Sequence, residues 1–142
     1  MFPISTAVPS TFEAFMAAND LTHDHPNLDG WRRVWQNQLQ VEATVPAVTP
    51  PCPAWCTLPA GHEYDSTDGW GDDLVFLRRH VAFEGGKIAD VSATERNHAG
   101  TVTVDEPGIF LSVADDDYPV EQVIVIAAEL LESAVVLDRI TR

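Results

Sequence analysis

The chain is predicted to fold as an α+β domain, a small antiparallel sheet of three to five strands with a C-terminal helix packed on it and a helical leader in front. Three observations carry this expectation. Residues 74–113 are branched and aromatic runs separated by glycine-bearing turns. Residues 119–140 form one long helical stripe. Ser10-Thr11-Phe12-Glu13 reads as a capping box ahead of Phe12, Phe15 and Met16. The expected division is a helical leader at 1–45 and an α+β domain at 46–142.

Taken in order, the capping box predicts a short helix over 11–19 with Ser10 at the N-cap. Thr22-His23-Asp24-His25-Pro26-Asn27 then interrupts it with turn formers and a proline. From Trp31 to Val45 two periods compete. Trp31, Val34, Trp35 and Leu39 fit a helix, whereas Trp35, Leu39, Val41, Ala43 and Val45 fit a strand, so helix to about 37 followed by a strand is expected. Pro46, Pro50, Pro51 and Pro53 hold the next stretch extended. Residues 74–83 form a strand, Glu84-Gly85-Gly86-Lys87 a tight turn, and 88–94 the returning strand. After Asn97-His98-Ala99-Gly100, a second hairpin is expected: Thr101 to Val104, a type II turn at Glu106-Pro107-Gly108, then Ile109 to Val113. Asp115-Asp116-Asp117 supplies caps for the last helix, whose core stripe is Val120, Val123, Ala127, Leu130, Ala134 and Leu137, widened by Ile124 and Leu131.

Val125 and Val136 fall in the middle of that helix's polar face, among Glu121, Glu129, Glu132 and Arg139. Both faces are therefore expected to be covered, the second either by the leader or by a homodimer or other protein partner.

The sign balance is lopsided, with 22 Asp and Glu against 8 Lys and Arg and a formal charge of −14 over 142 residues. Such a field repels phosphates, which argues against direct nucleic-acid binding and against a DNA-reading zinc finger. The first residues lack the basic and apolar stretches of a signal peptide, and no run reaches the ~18 apolar residues of a membrane span. A cytoplasmic location with no membrane association is expected, and there cysteines serve as thiols or ligands more often than as bridges.

The chemistry sits in Cys52-Pro53-Ala54-Trp55-Cys56 and the trailing His62. Thiolates and imidazoles are the usual zinc ligands, closed structural sites take four, and a three-residue gap within a pair is common. His80, in Arg78-Arg79-His80-Val81, is the chosen fourth ligand because it would tie the cysteine loop to the sheet; His23, His25 and His98 compete for that role. Two thiolates and two imidazoles neutralise the metal, so Arg78 and Arg79 are expected to pair with Asp72, Asp73 or Glu84 instead. The alternatives for Cys52 and Cys56 are plain buried thiols or a disulfide closing a very short loop.

Cys52-Pro53-Ala54-Trp55-Cys56, Gly61-His62 and the Arg79-His80 pair resemble a family of small actinobacterial and phage-borne proteins of unknown function, built around a Pro-x-Trp-Cys motif followed by histidines. The resemblance covers residues 50–140 and implies a zinc site on a sheet with a C-terminal helix, without any activity. The leader, with its Trp31-Arg32-Arg33-Val34-Trp35 run, departs from the short N-terminus of that pattern.

Three functions compete. The first is a non-catalytic, acidic interaction module stabilised by structural zinc on Cys52, Cys56, His62 and His80, with no catalytic residue. The second is a zinc hydrolase: were His80 not a ligand, Cys52, Cys56 and His62 would leave a position for water, with Glu63 or Glu84 as base. The deaminase order, His-x-Glu ahead of Pro-Cys-x-x-Cys, is absent, as are the nucleophile elbow, the P-loop and His-Glu-x-x-His. The third is an acidic inhibitor mimicking nucleic acid through Asp65, Asp68, Asp72 and Asp73 and through Asp105, Glu106 and Asp115 to Asp117.

Overall fold

The computed structural model describes residues 2–3, 7–85, 88–112 and 117–142. It contains β1 (Phe2–Pro3), α1 (Phe12–Ala18), α2 (Leu28–Thr44), β2 (Ser66–Asp68), a 3-10 turn at Gly71–Asp73, β3 (Val75–Gly85), β4 (Ala89–His98), β5 (Thr101–Val104), β6 (Gly108–Leu111) and α3 (Val120–Thr141). The strands pair antiparallel in the order β1, β2, β3, β4, with β5 and β6 both on the far edge of β4. The expected α+β class holds: an antiparallel sheet, a C-terminal helix packed on it and helices ahead of it.

In α1 the cap is Thr11, one residue beyond the expected Ser10, and its hydroxyl accepts from the Ala14 N–H at 3.2 Å. Phe12, Phe15 and Met16 then bury against Trp31, Val34 and Trp35 of α2. Trp35 also ties the chain ahead of α1, its Nε1–H donating to the Pro9 carbonyl at 2.7 Å.

The strand expected after residue 37 does not form, and α2 runs unbroken to Thr44. Its period of 3.6 wins because Val41 has a core to enter, packing with Tyr64, Leu74 and Phe76, while Ala43 and Val45 of the rival strand face are exposed. Gln40 secures the same end by donating to the Gly71 carbonyl at 2.9 Å.

Strands β3 and β4 form the long central hairpin, in register from Val75↔His98 to Gly85↔Ala89 with one irregularity between Val81 and Phe83. The centre of their turn, Gly86-Lys87, lies outside the described residues. The return strand reaches His98 rather than stopping near 94. It ends in a two-residue turn with Ala99 and Gly100 at φ 50° and 87°, the left-handed pair that a tight hairpin demands.

The expected β5–β6 hairpin is not formed either. Val104 opposes Glu95 and Gly108 opposes Ser92, so the two strands run in one direction along β4 as a single edge with a bulge between them. Asp105 bridges the bulge by donating its N–H to Thr94 O at 2.9 Å. Pro107 has no N–H and is tolerated at such an edge. Continuing along β4 satisfies the backbone groups of Ala89 to Ser92, which a turn at Pro107-Gly108 would have left without that partner.

One face of the sheet receives both α2 and α3. Leu74, Phe76, Arg78, His80 and Ala82 of β3 and its approach and Val91, Ala93, Glu95 and Asn97 of β4 line it. Val41 covers the Phe76 end, and Val136, Leu137 and Ile140 cover Ala82 and Val91 at the other.

The face α3 buries is rotated from the expected stripe. Ser133 and Val136 are buried, whereas Val120, Val123, Ile124 and Leu131 are at least half exposed. Ser133 brings the helix close to the sheet, its hydroxyl satisfied by Glu129 O at 2.8 Å. Val125 remains exposed and the leader does not cover it. The first turn starts from Pro119; of the expected acidic caps, Asp115 and Asp116 lie outside the described residues, and no side chain caps the helix among those described.

Two glycines give a paired test of this framework. Gly69 sits at φ 75°, where a Cβ would stand only 2.2 Å from Asp73 O, and Gly100 at φ 87° has open space around it. Gly69→Ala is expected to cost more than the roughly 1–2 kcal/mol of left-handed strain alone, while Gly100→Ala costs about that strain and no more. Urea unfolding of both variants checks this ordering, and equal losses would contradict it.

Candidate metal centre

Residues 50–62 form the loop that carries three of the expected donors, and two reverse turns shape it. Cys56 N–H donates to Pro53 O at 3.0 Å and His62 N–H donates to Pro59 O at 3.1 Å, with Gly61 at φ 70° completing the second turn. The first turn places Cys52 and Cys56 on one side; the second returns His62 to them. Trp55, between the cysteines, turns toward the sheet and packs with Ala82, Val91 and Val136.

The loop is fastened to β3 by backbone and side chain alike. Thr57 donates to Val81 O through its N–H at 2.8 Å and its hydroxyl at 3.0 Å. Arg78, fully buried, reaches both ends: Nη2 donates to Pro50 O at 2.9 Å and Nη1 to His62 O at 3.0 Å. The same Nη2 donates to Glu95 Oε2 at 2.7 Å. A guanidinium suits this task because its planar fork addresses several acceptors at once.

Cys52, Cys56, His62 and His80 converge, with one ligand atom from each lying within 4.8 Å of all the others. Cys56 Sγ and His62 Nε2 stand 3.8 Å apart, close to the roughly 3.3–3.8 Å between donors that sit about 2.0–2.3 Å from one tetrahedral metal. The cysteines are unbridged and half-buried, which fits neither the disulfide nor the plain buried-thiol alternative. His23, His25 and His98 are not members of the group; His98 instead contacts the Asp72 carbonyl at 2.9 Å.

The surroundings of the four side chains are equally specific. His80 is fully buried, and its Nε2 lies 2.9 Å from Glu95 Oε2. A carboxylate at that nitrogen takes its proton in a hydrogen bond and leaves the lone pair on Nδ1. Nδ1 is itself buried and has no hydrogen-bond partner among the described residues. An orphaned acceptor at a four-donor cluster is what a metal would satisfy. The His62 pKa is lowered by burial first and then by Arg78 and His80, which favours the neutral ring that a ligand must present.

Comparison with protein-family models, curated proteins and solved structures finds no match to this chain. The centre is therefore defined by its own geometry.

The expected partners of the arginines are not the observed ones. Adjacent strand residues face opposite sides, so Arg78 meets Glu95 directly across the hairpin, while Arg79, on the other face, pairs with Asp90 and contacts Ser92. Asp65 of the expected acidic ridge accepts from Arg79 N–H and Ser66, and Asp105 pairs with Arg96. Glu95 escapes a reading that ends the return strand near 94. The signal that finds it is the alternation Ala89, Val91, Ala93, Glu95, which puts a carboxylate in an otherwise apolar row.

Burial works against the Glu95 carboxylate, but hydrogen bonds from Arg78 and His80 and the guanidinium charge outweigh it and hold its pKa below the usual carboxylate range. With a depressed folded pKa, its stabilising contribution is complete above that usual range and is lost as pH falls through the folded value. Glu95→Gln leaves Arg78 buried without its counter-charge. It is expected to cost about 3–5 kcal/mol in urea unfolding and to weaken metal binding roughly 10–100-fold in chelator competition. A neutral effect on both would mean that Glu95 positions nothing.

Proposed function

We propose that this chain is a zinc-stabilised, non-catalytic interaction module in which Cys52, Cys56, His62 and His80 hold one structural zinc. The observation that carries the reading is the buried, orphaned His80 Nδ1 at a cluster that already holds two sulfurs and a second imidazole. Two thiolates with two imidazoles favour zinc over hard cations, and their charges cancel those of Zn²⁺.

The same set speaks against a hydrolase. With His80 as the fourth donor, a tetrahedral ion has no position for water. Glu63 and Glu84, the candidate bases, are exposed, and Glu63 alternates with the buried Tyr64 in pointing away from the core. A cleft of about 770 Å³ runs along α2 between Trp31, Asn37 and Trp70, and none of the four donors lines it. The nucleic-acid mimic is weakened by the engagement of Asp65 and Asp105 with basic and backbone partners. No helix among the described residues is long and apolar enough to cross a membrane.

The reading is tested by native mass spectrometry with elemental analysis on the parent chain and on His80→Ala. One zinc per chain is expected in the parent and none in the variant. Removing zinc from the parent should lower the melting temperature by about 10 °C or more, as a loss of several kcal/mol does in a domain of this size. A parent chain produced with ample zinc that carries no metal, or whose melting ignores chelation, would overturn the proposal.

A further inference from the structure

A helix of 22 residues is about 33 Å long, yet α3 meets the sheet mainly through its second half. Ser133, Val136, Leu137 and Ile140 pack, whereas from Val120 to Ala128 only Ile126 is even half-buried. That first half, Val-Glu-Gln-Val-Ile-Val-Ile-Ala-Ala, is apolar nearly all round. Val120, Ile124 and Leu131 are 71%, 63% and 70% exposed, and a helix of this character is ordinarily covered.

We infer that the cover is the α3 of a second copy, lying antiparallel to the first. This names the partner of the interaction module proposed above and rests on that reading for the module's role, not for the contact itself. The exposed positions Val120, Ile124, Ala127, Leu131, Ala134 and Asp138 recur at alternating steps of four and three, the seam of a two-helix coil. In an antiparallel register centred level with residue 129, Ile124 faces the second copy's Ala134 and Leu131 faces its Ala127. Ile124 and Leu131 each then meet an alanine, and Val120 meets Asp138 at the end of the seam. A parallel pair would instead set Leu131 against Leu131 and leave a gap at Ala127.

The ends agree with this register. Glu121 in the first turn comes beside the last turn of the second copy, where Arg139 and Arg142 lie, and the helix dipoles oppose. Asp138, opposite Val120 at the open end of the seam, has its charge engaged by Arg142 at 2.7 Å. A lipid surface suits the face poorly: an interfacial helix carries Lys and Arg on its polar side, and here that side holds Glu121, Glu129 and Glu132 against Arg139 alone. The leader is spent at the other end of the sheet.

The test is the mass of the full chain in solution by light scattering at about 100 µM, with zinc content measured on the same samples. The parent is expected at twice the chain mass. Leu131→Glu, at an exposed position, is expected to be a monomer that keeps its zinc and melts as a folded domain. An equimolar mixture of Ile124→Cys and Ala134→Cys chains should cross-link on oxidation well beyond either alone or the parent. A monomeric parent overturns the inference whatever its zinc content, and so does a Leu131→Glu chain that stays dimeric. Cross-linking confined to the single variants overturns the antiparallel register. A zinc-free dimer that behaves as expected supports the pairing while removing the zinc reading, which keeps the two separable.

Discussion

The arrangement depends on one buried ion pair. Arg78 and Glu95 are 0% and 1% exposed, face each other across the central hairpin, and each has a second task. Arg78 grips the carbonyls on either side of the cysteine loop, and Glu95 orients His80. Burying two charges is costly, and such pairs seldom add net stability over an apolar replacement. Their value here is geometric. An apolar pair at these positions could neither hold Pro50 and His62 in place nor fix the tautomer of His80, so the four clustered side chains would lose their common origin.

This polar centre is flanked by apolar ones. Val41 with Tyr64, Leu74 and Phe76 seals one end of the sheet face, and Val136 with Ala82, Val91 and Trp55 seals the other. Tyr64 links the regions: its ring lies under the Arg78 guanidinium at 5.6 Å, and its hydroxyl accepts from Asn97 Nδ2 at 2.9 Å. Burial raises the Tyr64 pKa, which keeps the hydroxyl protonated and able to serve that network. The apolar clusters on either side thus help to keep the ion pair buried.

Much of this is legible in the sequence because it is local. The cysteine spacing, the histidine that follows, the period of β3 and the length of α3 are all written in short windows, and they point to the four donors and the α+β class. What escapes needs distant partners. Whether residues 38–44 continue a helix depends on Val41 finding Leu74 and Phe76. The face that α3 buries depends on where Ser133 can approach the sheet, a point its own apolar pattern leaves open. Glu95 gains meaning only from the register that sets it opposite Arg78, and Pro107-Gly108 reads as a turn until the bare edge of β4 is taken into account.

The kinked outer edge formed by β5 and β6 has a consequence for how the chain behaves when crowded. A long straight edge invites further strands, each addition exposing the next, which is how open fibrils grow. Here the bulge at Asp105 and the missing donor at Pro107 spoil the repeat that such growth requires. Sheet-by-sheet aggregation is thereby blocked at this border, although Val102, Val104, Phe110 and Leu111 along it are exposed. Irregular backbone spacing thus guards that side by a route independent of the acidic surface.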